Sequence, residues 1–269
     1  MIGYLVLASA LAFFLFLVPG PHQRYAGIAG WAGMVLVLVA MLPEFAAENN
    51  FVYPVITLAS IPFLFLTARR LLAGDERVAA LTRGAAIAFV LYVPFAYIPS
   101  LGDWLIGVVT NQVAWLLTLI GFPYEMWAWN IFIHNGLRVE IILACTGIQS
   151  IAIMLGVAFA VPATLRQRAL AFLAVAPVIY ALNLVRNVFV IVAYTDQWFP
   201  YLPAIASNGE YGYESFFWAH NVIAELAALV ILVGIAWALF RLIPSLGDLA
   251  VDLVELYRHD LTRAVRRGR

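Results

Sequence analysis

The chain has 269 residues, of which 65% are hydrophobic and only 11% are charged. Because a soluble domain carries about 25% charged residues, this composition excludes a water-soluble globular protein and predicts a polytopic membrane protein. The formal net charge is zero, which excludes a protein that binds nucleic acid by neutralising phosphates. All fifteen basic residues are arginine, and the single cysteine, Cys145, excludes an intrachain disulfide or a multi-thiolate metal site. No metal or cofactor is expected.

Seven apolar runs are long enough to cross about 30 Å of hydrocarbon as helices. The first run lacks a basic start and ends in Pro19-Gly20-Pro21, so we expect a retained span rather than a cleaved signal peptide. An eighth stretch, 104–122, is ambiguous, and the sequence therefore predicts an all-α polytopic membrane protein with seven or eight transmembrane helices. The seven runs are 2–18, 26–43, 51–68, 84–101, 141–162, 169–194 and 215–243.

Arginines mark the loops that we expect in the cytoplasm, because short cytoplasmic loops carry an excess of basic residues. They crowd 69–83, 166–168 and the C-terminal tail, whereas acidic residues such as Asp103 and Asp196 lie in the alternate loops. A full span at 104–122 would break this alternation. The stretch also has a narrow stripe of small and polar residues at helical spacing, which favours an amphipathic helix at the outer interface, or a re-entrant one.

The segment 125–140 has short β-prone runs on either side of Asn135-Gly136, which is the strongest short hairpin signal. It also contains Trp127 and Trp129, and indole side chains prefer the membrane surface. We therefore expect a short extracellular β-hairpin. It serves either as a lid over a site or as a collar that anchors the chain at the interface.

The C-terminal residues 244–269 form a separate region of the chain. They space Leu249, Leu253 and Leu261 roughly helically among charged residues. This pattern predicts a cytoplasmic amphipathic helix, which its terminal arginines hold to anionic lipid headgroups. The rest of the chain, 1–243, is then expected to form a single transmembrane domain.

Three polar or titratable side chains lie within apolar runs, where such a side chain is costly unless it faces protein or water. An arginine at a helix centre costs about 2.5 to 3.5 kcal/mol on insertion scales, so Arg186 must face a protein interior or a watery cavity. From a helical rise of about 1.5 Å per residue, Cys145, Arg186 and His220 reach the outer leaflet from three different helices. Each alone has an ordinary explanation, since a buried cysteine is commonly a small hydrophobe and an arginine can snorkel.

Together these three side chains suit acyl transfer. An imidazole can take the proton of a thiol, and the thiolate then attacks an acyl carbon. A guanidinium cannot act as a base at ordinary pH, but it can stabilise an oxyanion or hold the thiolate. Polar neighbours of the three either orient them and bind the substrate backbone, or simply help helices to associate. These neighbours are Thr146, Gln149, Asn187 and Asn221.

The strings EIILACTGIQS around Cys145, NLVRN around Arg186 and WAHN around His220 resemble the archaeosortase/exosortase family. Its members are multi-span cysteine proteases and transpeptidases that process C-terminal sorting signals, and the likeness is strong over about 138–225. The resemblance implies that Cys145 is the nucleophile, Arg186 the electrostatic stabiliser and His220 the base. In this family the third position is Arg or His, and the chain has no arginine between Arg186 and Arg241.

The resemblance also implies a substrate class and a location. The expected substrates are surface proteins, such as those of an S-layer, whose C-termini carry a Pro-Gly-Phe motif, a hydrophobic span and a basic end. Cleavage leaves an acyl thioester, and the acyl acceptor is either water or an amine-bearing phospholipid that provides a lipid anchor. The enzyme then belongs to an archaeal cell membrane, with 1–243 as its catalytic domain, its active site outside and its C-terminus in the cytoplasm.

Two other classes of protein stay open. A transporter or channel would use Arg186 to line its pathway, but transporters usually show internal repeats or paired broken helices in both halves. Here the polar residues cluster in the C-terminal half of the chain. A non-catalytic assembly protein would tolerate replacement of all three residues. The substitution Cys145→Ala discriminates between an enzyme and a transporter, because it abolishes acyl transfer and spares transport.

Overall fold

The computed structural model describes residues 2–47 and 52–267. The described chain is mostly helical, contains one small antiparallel sheet and divides into two compact units. The first unit holds the chain up to Tyr97, the segment Ala152–Ala171 and the chain from Leu239 onwards. The second unit holds Ile98–Ile151 and Phe172–Ala238, and each unit has its own hydrophobic core.

Long helices form most of the described chain. Two helical segments of the described chain are not α-helical: a 3₁₀ turn, Leu143–Thr146, and a π-helix, Phe217–Ala224. In chain order the α-helices are α1 (Ile2–Leu17), α2 (Gln23–Ala40), α3 (Leu42–Ala47), α4 (Val52–Leu72), α5 (Glu76–Tyr97), α6 (Pro99–Leu119), α7 (Ile148–Ala158), α8 (Leu165–Thr195), α9 (Pro203–Ala206), α10 (Tyr213–Phe216), α11 (Glu225–Leu242) and α12 (Pro244–Arg267).

Five helical segments of the described chain are long and apolar enough to cross a membrane. The chain is therefore a multi-pass membrane protein, as its composition predicts. α1 and α7 are apolar too, but they have only 16 and 11 residues. The five segments are Gln23–Phe45, Tyr53–Leu72, Glu76–Tyr97, Leu165–Thr195 and Tyr213–Leu242.

The run 141–162, which the apolar pattern predicts as one helix, is divided in the structure. The 3₁₀ turn Leu143–Thr146 ends at Gly147, whose left-handed backbone (φ 78°) interrupts helical geometry before α7 begins. α7 is then about 16 Å long, roughly half the thickness of the hydrocarbon core. Hydropathy alone does not reveal this break, because the run 141–162 as a whole is apolar.

The ambiguous stretch 104–122 lies mostly within α6, which begins earlier, at Pro99. With 21 residues, α6 is about 32 Å long, which is enough to cross a membrane. It is nevertheless not among the five segments apolar enough to span, because polar residues such as Asp103 and Gln112 lower its hydropathy. Its position at the outer interface stays a prediction.

The first unit is a regular packing of helices, with α1 against α2 and α5 and with α2 against α4. Phe13 of α1 is fully buried and packs edge-on against Trp31 of α2, with ring centroids 5.5 Å apart. At Gly30 an added Cβ would lie 2.6 Å from the Phe13 ring, so the two helices approach closely because this residue has no side chain. Trp31 donates its indole N–H to Thr82 Oγ1 at 3.0 Å, which satisfies the polar edge of the ring.

α12 docks against α4 within the first unit. Tyr257 stacks on Phe63 at 5.4 Å and shares a 2.7 Å hydrogen bond with the Thr67 hydroxyl. Asp260 is only 4% exposed, and its carboxylate accepts a 2.8 Å hydrogen bond from Arg70 Nε. The hydrogen bond from Arg70 holds the pKa of the Asp260 carboxyl below its usual range. One face of the amphipathic helix is thus buried against protein.

The second unit contains α6, a three-stranded sheet and residues 172–195 of α8. The strands β1 (Glu125–Ala128), β2 (Ile131–His134) and β3 (Leu137–Glu140) are antiparallel and lie in chain order. Phe132 and Val139 pair across β2 and β3 and are buried in a core with residues of α6 and α8. The helical members of this core are Val109, Val113, Leu117, Ile191 and Val192.

The hairpin predicted at Asn135-Gly136 is confirmed as β2–β3. Both turn residues have positive φ, 50° and 77°, as a two-residue type I′ turn requires. Asn135 Nδ2 donates to the Thr195 carbonyl at 3.2 Å, and His134 Nε2 lies 3.2 Å from Asp196 Oδ1. The turn is therefore fastened to the C-terminal end of α8.

The third strand of the sheet, β1, is an addition to the predicted hairpin. It pairs with β2 after a register shift between Met126 and Ala128, a β-bulge that alternation patterns do not reveal. Trp127 sits in this bulge with its ring more than half exposed. The Arg138 guanidinium of β3 covers that ring at 3.6 Å, a cation–π contact that links the two outer strands.

Candidate active site

Cys145 lies in the 3₁₀ turn Leu143–Thr146, which we call the Cys145 turn. Its amide donates to the Ile142 carbonyl at 2.8 Å, and its partly buried side chain packs against the core of the second unit. Thr146 is 1% exposed, and its hydroxyl donates to the Leu143 carbonyl at 2.7 Å. This hydrogen bond within the turn stabilises its conformation.

The carbonyl of Cys145 is held by side chains of α8. Asn183 Nδ2 donates to it at 2.5 Å and Asn187 Nδ2 donates at 2.8 Å. The two asparagines are four residues apart and Arg186 lies three residues after the first, so all three share one face of the helix. The Cys145 turn is thus fastened to the same stretch of α8 that carries Arg186.

Arg186 contacts two groups from the C-terminal part of the second unit. Its Nη2 lies 3.2 Å from His220 Nε2 and donates to Glu225 Oε1 at 3.0 Å. A guanidinium has donors only, so His220 Nε2 accepts and the ring proton lies on Nδ1. That Nδ1–H donates to Asn221 Oδ1 at 2.8 Å. The imidazole is therefore neutral in this arrangement, with its basic nitrogen facing Arg186.

The π-helix explains how one guanidinium reaches both His220 and Glu225. Residues five apart in an α-helix point about 140° away from each other, at about 100° per residue. The i→i+5 bonding of a π-helix brings such residues towards the same side. His220 lies inside the π-helix and Glu225 directly follows it. Single π-helical turns are rare and occur frequently at functional sites.

Aromatic packing fixes the plane of the His220 ring. Phe216, the last residue of α10, stacks on it at 4.8 Å with only 13° between the two ring planes. The loop that joins α8 to α10 is fastened to the π-helix, because Trp218 donates its indole N–H to the Tyr201 carbonyl at 2.8 Å. The position of His220 is therefore set by its neighbours on both sides.

The structure brings Arg186 and His220 into direct contact. It joins Cys145 to α8 by hydrogen bonds to the backbone carbonyl. Among the four polar neighbours, Asn187 is buried at the Cys145 carbonyl, whereas Gln149 lies on an exposed face of α7. The assignment of catalytic roles to these residues stays a prediction.

Two residues of this network, Asn183 and Glu225, were not identified from the sequence. Asn183 lies inside the string NLVRN, three residues before Arg186, so the helical period already places it on the same face as the arginine. Glu225 is a carboxylate at the start of an apolar helix, a signal comparable to that of Arg186 itself. Its position on the same side as His220 depends on the π-helix, which the α-helical period does not predict.

Comparison with known proteins identifies a family. Residues 1–203 match the family described as transmembrane exosortase, a range that includes Cys145 and Arg186 but ends before His220. An archaeosortase A from Natronomonas pharaonis is 29% identical over 262 residues, covering 89% of this chain and 82% of the relative. An archaeosortase A from Haloferax volcanii is 27% identical over 258 residues, covering 86% and 84% respectively.

No solved structure matches the chain. The family match covers well over half of the chain, and the two relatives extend the similarity past His220 to most of its length. The family predicted from the strings around Cys145, Arg186 and His220 is thereby confirmed. The chain belongs to the transmembrane exosortase family, the exosortase/archaeosortase group of membrane proteins.

Proposed function

We propose that the chain is a membrane-embedded cysteine transpeptidase that cleaves the C-terminal sorting signal of surface proteins and transfers them to a lipid anchor. The observation that carries this proposal is the polar face of α8. Within about one helical turn, this face holds the backbone of Cys145 through Asn187 and contacts the imidazole of His220 through Arg186. Thiol, guanidinium and imidazole are the groups that acyl transfer needs. Membership of the exosortase family supports a sorting signal as the substrate.

The reaction begins with proton transfer from the thiol of Cys145 to Nε2 of His220. Nδ1 already carries a proton that Asn221 accepts, so Nε2 is the only basic nitrogen of the ring. The thiolate attacks the carbonyl carbon of the scissile peptide, and the π electrons of the C=O bond move to its oxygen. Arg186, which leaves Nε2 as this nitrogen takes the thiol proton, turns to the oxyanion and stabilises it by charge-assisted hydrogen bonds.

The tetrahedral intermediate collapses when its C–N bond breaks. The protonated His220 gives its proton to the leaving amine, and the C-terminal segment departs while the acyl group stays on Cys145 Sγ as a thioester. The amine of a phospholipid then attacks the thioester carbonyl and loses a proton to His220, which returns it to the departing thiolate. With water as the acceptor, the same steps amount to simple proteolysis.

We infer seven crossings of the membrane: the five candidate spans, α1, and the run 141–162, which contains the Cys145 turn and α7. This topology places the Cys145 turn towards the extracellular side, α6 at the outer interface and α12 in the cytoplasm, in agreement with the arginine distribution. A substrate whose Pro-Gly-Phe motif precedes a hydrophobic span and a basic end fits beside such helices. An archaeal cell membrane is the setting that fits the names of the two relatives.

The test is the intact mass of a reporter with a Pro-Gly-Phe sorting signal, co-expressed with the wild-type chain or with Cys145→Ala. We expect the reporter to lose its C-terminal segment only with the wild type. The mass that remains then shows whether water or a phospholipid amine took the acyl group. Because Cys145 is the sole cysteine, an acyl adduct that neutral hydroxylamine removes, and that Cys145→Ala does not form, is its thioester.

A reporter that stays intact with a well-folded wild-type chain contradicts the proposal. So does equal processing by Cys145→Ala, because removal of the nucleophile must stop acyl transfer. A solute flux that depends on Arg186 and survives Cys145→Ala would instead favour the alternative, a transporter or channel with Arg186 lining the pathway.

A further inference from the structure

The backbone carbonyl of Cys145 receives two amide donors from one helix. Asn183 Nδ2 lies 2.5 Å from this oxygen and Asn187 Nδ2 lies 2.8 Å from it. Asn187 is 3% exposed, and Asn183 is partly buried. Two side chains that meet on one carbonyl oxygen fix its position in two directions, because an sp² oxygen accepts along both of its lone pairs.

The local backbone explains why this carbonyl needs outside donors. Inside a continuous helix, a carbonyl accepts from the amide four residues later. Here the left-handed Gly147 (φ 78°) separates the Cys145 turn from α7, which begins at Ile148. The first backbone bond after the break joins the Ile151 amide to the Gly147 carbonyl at 3.0 Å. The Cys145 carbonyl is thereby turned towards α8.

Gly147 also makes room for the donor that approaches most closely. A Cβ added at this residue would meet Cβ and Cγ of Asn183 at 3.3 Å, a tighter distance than ordinary van der Waals contact. Asn183 therefore reaches the Cys145 carbonyl over a residue without a side chain. The same glycine provides both the break in the helix and the space for the asparagine.

We propose that Asn183 and Asn187 form an amide clamp that positions Cys145 for the reaction. The clamp rests on the proposed function, in which the Cys145 thiol is the nucleophile. Arg186 lies between the two asparagines on the same face of α8 and contacts His220. By holding the backbone of Cys145 against this face, the clamp places the thiol at a constant distance from the guanidinium and the imidazole. Asn183 and Asn187 are positioning residues, since their contact is with Cys145 and not with substrate.

The two asparagines act on one atom, so their effects are coupled. Each single variant, Asn183→Ala or Asn187→Ala, keeps one donor, and we expect kcat to fall about threefold. The double variant loses both donors and frees the turn, and we expect a fall of about a hundredfold, more than the product of the two single effects. KM should change less than twofold, because the substrate does not touch the clamp. Asn111→Ala, an exposed asparagine on α6, is the matched control.

A second measurement needs no substrate. Cys145 is the only thiol in the chain, so its alkylation by iodoacetamide can be followed on the full-length protein in detergent. We expect the alkylation rate at a fixed pH to rise about threefold or more in the double variant, because the freed turn exposes the partly buried thiol. Asn111→Ala should be alkylated at the wild-type rate.

The two readouts separate the clamp from the proposed function. A wild-type chain that does not process the reporter contradicts the transpeptidase, while faster alkylation of the double variant still supports the clamp. An unchanged alkylation rate overturns the clamp, and so does a double variant whose kcat equals that of the wild type. A lower unfolding temperature with an unchanged alkylation rate would likewise overturn it, because the asparagines would then serve only the packing of α8.

Discussion

The two compact units of the chain differ in how regular their backbones are. In the first unit, α1, α2, α4 and α5 pack through apolar contacts such as Phe13 on Trp31, and Gly30 allows the close approach. The second unit contains the Cys145 turn, the π-helix and the bulged sheet, and it holds every polar residue of the candidate site. The polar residues of the candidate site therefore lie in the unit whose backbone is irregular.

This difference has a physical cause. A regular helix satisfies its own backbone groups, so its side chains are free to pack and need few polar partners in lipid. A break such as the one at Gly147 leaves a carbonyl that must find donors, and Asn183 and Asn187 supply them. A π-helix aligns residues that an α-helix separates, as it does for His220 and Glu225. The irregular backbone of the second unit therefore allows polar contacts that a regular α-helix would not allow.

The largest effect is expected from Arg186→Lys. Lysine keeps the positive charge but lacks the planar fork that contacts His220 and Glu225 together. We expect kcat/KM for a sorting-signal reporter to fall about 10²- to 10³-fold, as after loss of a donor to an oxyanion. The unfolding temperature should stay close to that of the wild type.

Arg83→Lys in the first unit is the matched control. Arg83 donates to the Ala160 carbonyl at 2.8 Å, a single contact that an ammonium group can also make. Turnover should therefore be unchanged in this variant. Wild-type turnover in Arg186→Lys would contradict this prediction, because Arg186 in the second unit would then be as replaceable by lysine as Arg83 in the first.

The sequence identifies the polar residues better than it identifies the geometry that joins them. Arg186 and His220 stand out because a charged or titratable side chain in an apolar run needs a partner, and the structure places them 3.2 Å apart. The turn at Asn135-Gly136 is predictable because only a few residues adopt positive φ readily. Glu225 escapes prediction, since its alignment with His220 depends on a π-helix without a sequence signature.

The prediction of one continuous helix over 141–162 is wrong for a related reason. Its apolar residues give the same hydropathy whether the chain is one helix or a 3₁₀ turn followed by α7. Gly147 is the only local sign of the break, and glycine is common enough in membrane helices to be uninformative. Nothing in the local pattern shows that Asn183 of a distant helix completes the turn.

A second prediction concerns stability in the first unit. Asp260→Asn removes the charge that Arg70 binds beneath α12, and we expect the free energy of unfolding to fall by about 2 kcal/mol at neutral pH. Denaturant unfolding in a non-ionic detergent measures this change. Turnover below the unfolding temperature should be unaffected. A comparable loss in Asp248→Asn, an exposed aspartate on the same helix, would contradict the role of the Arg70 contact.

The same pair predicts a dependence on pH. The pKa of Asp260 is lower in the folded chain than its usual value, so its stabilising effect is fully present above the unfolded pKa of about 4. The effect is lost as the pH falls through the lower folded-state pKa. The difference in stability between the wild type and Asp260→Asn should therefore shrink as the pH drops below about 4. A difference that grows in acid would contradict this assignment.

A smaller effect is expected at the turn of the β2–β3 hairpin. Gly136 has φ 77° and nothing within 4 Å of an added Cβ, so Gly136→Ala introduces only the strain of a left-handed alanine. We expect a loss of about 1 kcal/mol in the free energy of unfolding. Gly234→Ala on α11 has equal space but helical geometry and should be neutral or stabilising. A clear loss in the free energy of unfolding in both variants would contradict the assignment of the turn.

The smallest effect is expected at Glu225, whose side chain is 60% exposed. Its contact is with Arg186 and not with the reacting atoms, so Glu225→Ala should lower kcat by only about fivefold or less. Glu225→Gln keeps an oxygen acceptor for Arg186 and should stay within about twofold of the wild type. Glu255→Ala, an exposed glutamate on α12, serves as the control in steady-state kinetics.

The ranking of Glu225 below Arg186 tests what the π-helix does for the reaction. If the π-helix serves to orient the guanidinium, Glu225 only steadies Arg186, and the exposed carboxylate can be replaced at little cost in kcat. A loss of a hundredfold or more in Glu225→Gln, with Arg186→Lys no worse, would mean that the charge itself takes part in proton transfer. The π-helix would then bring together an acid and a base, rather than a guanidinium and the histidine it faces.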